Sequence, residues 1–200
     1  MTDAIAVIKT EHRNLMRVVN LFDIVMRAAA PGDGEGEGER RAPDFALLDA
    51  IVEYLQTFTD RYHHPKEDRF LFRALRARDP DAGPILDELE REHEGCYGAT
   101  AGLKEALEAY RAGRPGAAER FAAAAATYRD LQLRHVQKEE GIVIPMATRA
   151  LTPEDWRVID AAFADNRDPL FSDDAQESAR ALYSRIVHLA PAPHGLGEPR

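Results

Sequence analysis

The sequence predicts an all-α protein, an up-down-up-down four-helix bundle with two additional C-terminal helices. Three observations carry that prediction. Apolar residues recur at alternating steps of three and four along four long segments. Short turns join the last three of these segments, which forces neighbouring helices to run antiparallel. Val and Ile never alternate with polar residues for long enough to suggest a strand.

The first stripe starts at Asp3 and runs through Ile5, Ile8, Leu15, Val19, Phe22 and Met26 to about Ala30, with His12 filling its one gap. Residues 31–43, PGDGEGEGERRAP, combine glycine entropy, charge and flanking prolines and read as a mobile acidic linker. A second stripe follows through Leu48, Val52, Leu55, Thr59, His63, Glu67, Phe70 and Ala74, ending near Arg78 before Asp79-Pro80. Helix three, from about Asp81 to Ala112, carries Leu86, Leu89, His93, Cys96, Thr100, Leu103, Leu107 and Tyr110. After a turn at Gly113 to Pro115, helix four runs from about Gly116 to Ala150 with Phe121, Ala124, Tyr128, Leu131, His135, Glu139, Ile142 and Met146.

The bundle therefore spans residues 1–150, and residues 151–190 form a helical extension. Thr152 is the expected cap of a short helix that begins at Pro153 and holds Trp156 and Phe163. A sixth helix, from about Asp173 to Leu189, puts Ala175, Leu182, Ile186 and Leu189 on one side, and residues 191–200 read as a frayed tail. The two extra helices would cap the bundle or form a homodimer contact.

Composition narrows the function. With 44% hydrophobic residues in 200, the chain can bury a real core. Its 26 basic residues against 35 acidic ones give a net charge of −9, which repels phosphate and argues against nucleic-acid or anionic-lipid partners. The single cysteine, Cys96, excludes an internal disulfide and a thiolate cluster. No apolar run approaches the roughly 18 residues of a membrane span, and polar residues from Lys9 to His12 interrupt any signal-peptide core. A soluble cytoplasmic protein is expected.

Each of the four stripes contains one histidine. Counted to the joining turns, His12 and His63 stand roughly 18 and 19 residues away, His63 and His93 roughly 15 and 12, and His93 and His135 roughly 19 each. At about 1.5 Å per residue all four imidazoles should meet in one layer. Glu67 follows His63, and Glu139 follows His135, by four positions, about one turn plus 40°, so both carboxylates aim at that layer. A lone histidine on an apolar stripe is usually a satisfied core residue. A core nevertheless gains nothing from burying two carboxylates without a cation to offset their desolvation. The six side chains supply two metals with a two-histidine, one-carboxylate set each, with a carboxylate free to bridge.

Neighbouring residues read less clearly. His64 sits about 100° round the helix from His63 and faces a flank, where a hydrogen bond behind the ligands suits it better than ligation. Glu140, beside Glu139, is a solvated residue, a hydrogen-bonding partner behind the ligands, or a further ligand. Asp68 reads as surface charge. Pro65 removes an amide donor between His63 and Glu67, which either adjusts the ligand spacing through a kink or is simple local strain. A ferritin-like di-iron site needs Glu-x-x-His on two helices, and only Glu90-x-x-His93 occurs.

The helix-one His12, the run His63-His64-Pro65-Lys66-Glu67, His93 in REHEGCY and His135-x-x-x-Glu139 in HVQKEEGIVIP together resemble the hemerythrin-like, HHE cation-binding family over residues 3–150. The resemblance implies a hemerythrin-like bundle with an oxo- or hydroxo-bridged pair of iron ions, zinc or manganese being conceivable substitutes. His12, His63, Glu67, His93, His135 and Glu139 map onto its ligands. Oxygen-carrying hemerythrins have a histidine four residues after the helix-three ligand and an aspartate five after the helix-four one. Tyr97 and Glu140 stand there instead, which argues against simple oxygen carriage. Tyr97 could ligate as a phenolate, donate to a bound peroxide, or pack. The family implies a small ligand, O2, NO or peroxide, in sensing, storage or detoxification. A peroxide- or NO-consuming enzyme helped by Tyr97, Tyr54 or Tyr62, and an iron- or oxygen-responsive binding module, are the alternatives.

Overall fold

A computed structural model describes residues 3–28, 43–164, 186–188 and 190. The expected linker, most of the sixth helix and the tail lie outside the described residues. Among the described residues there is no strand, and four long antiparallel helices form the bundle. Helix α1 is Asp3–Ala28, α2 covers residues 45–78, α3 is Gly83–Arg111 and α4 covers residues 117–150. They pack in a square in which each touches the next in sequence and α4 closes onto α1.

The ends follow local chemistry. The Asp44 carboxylate accepts from the Leu47 amide at 3.0 Å and caps the start of α2. Asp79 leaves the helix in an extended conformation, and Pro80–Ala82 makes one 3-10 turn into α3. Between α3 and α4, Gly113 (φ 64°) and Gly116 (φ 65°) occupy the left-handed region, where a side chain would be strained.

Helices α2 and α4 are not uniform. The stretches Leu55–His63, Glu67–Phe72 and Glu139–Val143 are π-helical, with i→i+5 bonds such as His64 N–H to Thr59 C=O and Ile144 N–H to Glu139 C=O. They flank His64–Lys66, which contains Pro65, and precede Ile144–Ala150, which contains Pro145. A proline lacks an amide, so the ladder around it has to re-form with a different spacing.

Helix α5, Pro153–Ala164, lies across α1 and the Glu67–Phe72 stretch and buries Trp156, Ile159 and Phe163. The hydroxyl of Thr152 accepts from the Asp155 amide at 3.3 Å, while Asp155 accepts from the Thr152 amide at 2.9 Å, a reciprocal cap. Asp160 accepts the Ala4 amide at 2.8 Å and ties α5 to the start of the bundle. Of the expected sixth helix, residues 186–188 are helical, and Ile186 and Ala190 are buried against the bundle. No helix among the described residues is long and apolar enough to cross a membrane.

The apolar core is divided. One cluster gathers Leu15, Val19, Phe22, Leu48, Leu55, Leu103 and Phe121. The other gathers Ile8, Phe72, Leu75, Leu86, Leu89, Val143 and Phe163. Between them lies a buried polar layer.

Candidate metal centre

That layer contains His12, His63, His64, Glu67, His93, His135 and Glu139, none more than 3% exposed. The structure brings together all six side chains that the stripes selected. Donor atoms of Glu67, His93, His135 and Glu139 lie within 4.8 Å of one another, as do those of His12, His63 and Glu67.

The two carboxylates span the layer. Glu139 places Oε2 3.1 Å from His12 Nε2 and Oε1 3.3 Å from His135 Nε2 and 3.7 Å from His93 Nε2. Glu67 places Oε1 3.5 Å from His12 Nε2, and Oε2 3.5 Å from His63 Nε2 and 3.8 Å from His93 Nε2. Both oxygens of each carboxylate, and His12 Nε2, make no hydrogen bond within the protein. Buried carboxylates with four unsatisfied oxygens are costly in an ordinary core and are what a cation site requires. Nitrogen and oxygen donors without a thiolate suit iron and its first-row neighbours. The residues therefore fit a pair of metal ions.

Each of the four stripe histidines turns its other nitrogen outward to a carboxylate. Glu11 of α1 meets His63 Nδ1 of α2 at 2.8 Å, and Asp68 of α2 meets His93 Nδ1 of α3 at 2.7 Å. Glu92 of α3 meets His135 Nδ1 of α4 at 2.8 Å, and Glu140 of α4 meets His12 Nδ1 of α1 at 3.0 Å. The ring closes because every helix serves the next one. Each of these acids is adjacent in sequence to an inward residue, preceding it on α1 and α3 and following it on α2 and α4. Antiparallel neighbours reverse the sense of rotation, so these alternating offsets all point the same way round the bundle. Carboxylates behind imidazoles fix the tautomer and aim Nε2 at the interior.

The charges are strongly coupled. Burial opposes protonation of His12, yet Glu139, Glu140 and Glu67 hold its pKa well above the ordinary value. Against the same burial, Asp68, Glu139 and Glu67 push His93 up to about 10, and Glu139 and Glu92 push His135 up to about 9. Burial is also the largest influence on Glu139, but His135, His12 and His93 keep its pKa well below the carboxylate range. His135 and Lys138 hold Glu92 down to about 2. Without a metal, imidazolium ions supply the positive charge.

Two expectations, for His64 and Asp68, are corrected, and the residues whose roles the sequence leaves open take definite places. His64 does not face a flank: the π-helical turns re-phase α2, so His63 and His64 both turn inward, each 2% exposed. Asp68 is not surface charge but backs His93, and Glu140, one of the residues left open, backs His12. Tyr97 is 51% exposed and donates its hydroxyl to the Asp60 carbonyl at 2.5 Å. Glu90, the candidate of a ferritin-like pair, meets Arg76 at 2.9 Å near the surface. Glu11 and Glu92 were absent from the sequence reading, although each stands directly before an inward histidine. Of the other tyrosines considered, Tyr54 is buried in the first apolar cluster and Tyr62 is 37% exposed.

A family model for the hemerythrin HHE cation-binding domain matches residues 3–147. No curated protein matches the chain significantly.

Proposed function

The chain belongs to the hemerythrin HHE cation-binding family, and from that premise we propose that it binds two iron ions and handles a small ligand, O2, NO or peroxide, in sensing, storage or detoxification. One observation carries the reading. Glu139 divides its two oxygens between His12 on one side of the layer and His93 and His135 on the other, and neither oxygen has a hydrogen-bond partner. A bridging carboxylate between two cations needs this placement.

His12 and His63 would hold one ion and His93 and His135 the other, with Glu67 and Glu139 shared. Bound iron supplies reversible one-electron chemistry and coordination positions open to a diatomic or peroxide. The protein supplies the rest. Glu140, Glu11, Asp68 and Glu92 each hold the outer nitrogen of one ring, so that the inner lone pair remains directed inward. The apolar clusters on both sides exclude bulk water from the layer. Protons on His12, His93 and His135 have to leave as metal enters, so uptake releases acid and strengthens with rising pH.

Anaerobic titration with ferrous iron, followed by metal analysis, tests the proposal. Two irons per chain, with a new optical spectrum on exposure to peroxide, is the expected result. One tightly held zinc, indifferent to iron, would contradict it.

A further inference from the structure

We infer that His64 is a fifth imidazole ligand, sharing one of the two metal positions with His93 and His135. The inference rests on the two-iron reading above and adds to it a donor that the four-stripe pattern does not select.

His64 is 2% exposed, and neither of its ring nitrogens makes a hydrogen bond. A buried polar atom left this way costs about 1–3 kcal/mol, so two on one ring call for a missing partner. The ring lies against the others: it stacks on His93 with centroids 4.1 Å apart and planes 12° apart, and meets His135 at 5.4 Å and 64°. Donor atoms of His64, His93 and His135 lie within 4.8 Å of one another. His93 Nε2 and His135 Nε2 stand 3.0 Å apart and can partner each other, whereas both nitrogens of His64 are left without the partner that a shared cation would supply.

The backbone of α2 is arranged to hold the ring there. His64 donates its amide to Thr59 five residues back, in the π-helical pattern. The next amide in that pattern would belong to Pro65 and reach the Asp60 carbonyl, but proline has none. The Tyr97 hydroxyl of α3 fills the gap, donating to the Asp60 carbonyl at 2.5 Å. Tyr97 thus acts as a positioning residue: it satisfies the backbone whose re-phasing turns His64 inward.

The Asp60 side chain completes the pattern seen at the other four rings. One Asp60 oxygen accepts from Thr100 at 2.8 Å, while Oδ1 has no hydrogen bond. A carboxylate oxygen of Asp60 lies within 4.8 Å of a His64 ring nitrogen, with Cys96 Sγ in the same group. Cys96 accepts from Gln132 at 3.3 Å. When one nitrogen of His64 binds metal, Asp60 is the carboxylate available to the other. The centre then has two imidazoles on one side and three on the other, so its two metal positions are inequivalent.

The test uses the full chain, loaded with iron, as wild type, His64→Phe and His64→Ala. Phenylalanine keeps the buried volume and the stack on His93 but offers no donor. Mössbauer spectra and the rate of iron removal by a chelator are the readouts. The wild type should hold two irons in two distinct environments. His64→Phe should change one environment and release one of the two irons roughly tenfold faster or more. His64→Ala should behave alike and recover when millimolar imidazole is added, an arm that still decides the matter if the phenylalanine variant misfolds. Wild-type spectra and release rates in both variants would overturn the role of His64 and leave the two-iron reading standing. A wild type that takes up fewer than two irons would overturn that reading itself.

Discussion

The apolar halves of the bundle and the layer between them achieve burial in opposite ways. Phe22 and Phe121 meet edge-to-face at 5.8 Å in one half, and Phe72, Leu75 and Phe163 close the other, all by side chains without a polar atom. The layer holds seven buried titratable side chains, His12, His63, His64, Glu67, His93, His135 and Glu139. Apolar burial stabilises whatever the solvent contains. The layer is stable only with positive charge inside it, supplied by protons or by metal. The fold therefore contains one region indifferent to metal and one that is not, and substitutions should separate them.

The largest difference is expected from Glu139→Ala. It removes the carboxylate placed between the two sides of the layer, so bound iron should fall from two per chain to one or none. The rise in melting temperature that iron gives the wild type should shrink with it, and metal analysis beside calorimetry reads both. Phe121→Ala is the converse. It should cost about 3–5 kcal/mol in denaturant unfolding, while iron content stays at the wild-type value.

Acidity sharpens the contrast further. His93 and His135 have pKa values raised to about 10 and about 9, so the stability they give the metal-free protein is complete below the ordinary histidine pKa. It is lost as pH rises through the raised values. Glu139 is depressed, so its contribution is present above the ordinary carboxylate pKa and lost as pH falls below it. The metal-free protein should thus weaken on the alkaline side, between about pH 6.5 and 10. The iron-loaded protein, whose rings would be neutral ligands, should not. Chemical unfolding with and without iron at several pH values checks the sign. Smallest is Glu11→Gln, which leaves His63 in place but withdraws the charge behind it. It should weaken iron binding about 10- to 100-fold and scarcely change unfolding of the metal-free chain.

The same contrast explains what could be read from the sequence. The stripes located the helices because apolar packing follows the helical period, and His12, His63, His93 and His135 were legible as the members that broke the apolar rule. Glu67 and Glu139 followed from their spacing. The inward turn of His64 was not legible, because an angle of 100° per residue holds only for an undistorted helix and α2 is π-helical around Pro65. Pro65 was the available signal, and its effect was left open. Glu11, Asp68 and Glu92 were hidden, and Glu140 left open, for a different reason. A solvated acid and an acid backing a histidine look alike in sequence until the neighbouring helix is known. Their adjacency to inward residues distinguishes them once the antiparallel order is assumed.

The ring of acids also gives the four rings unequal access to water. Glu140, Asp68 and Glu92 are 33%, 34% and 24% exposed, so His12, His93 and His135 each have a carboxylate that reaches water. Glu11, behind His63, is 2% exposed and has no such outlet. Three corners of the layer thus communicate with water through their acids while the fourth is sealed, a difference of access rather than of affinity.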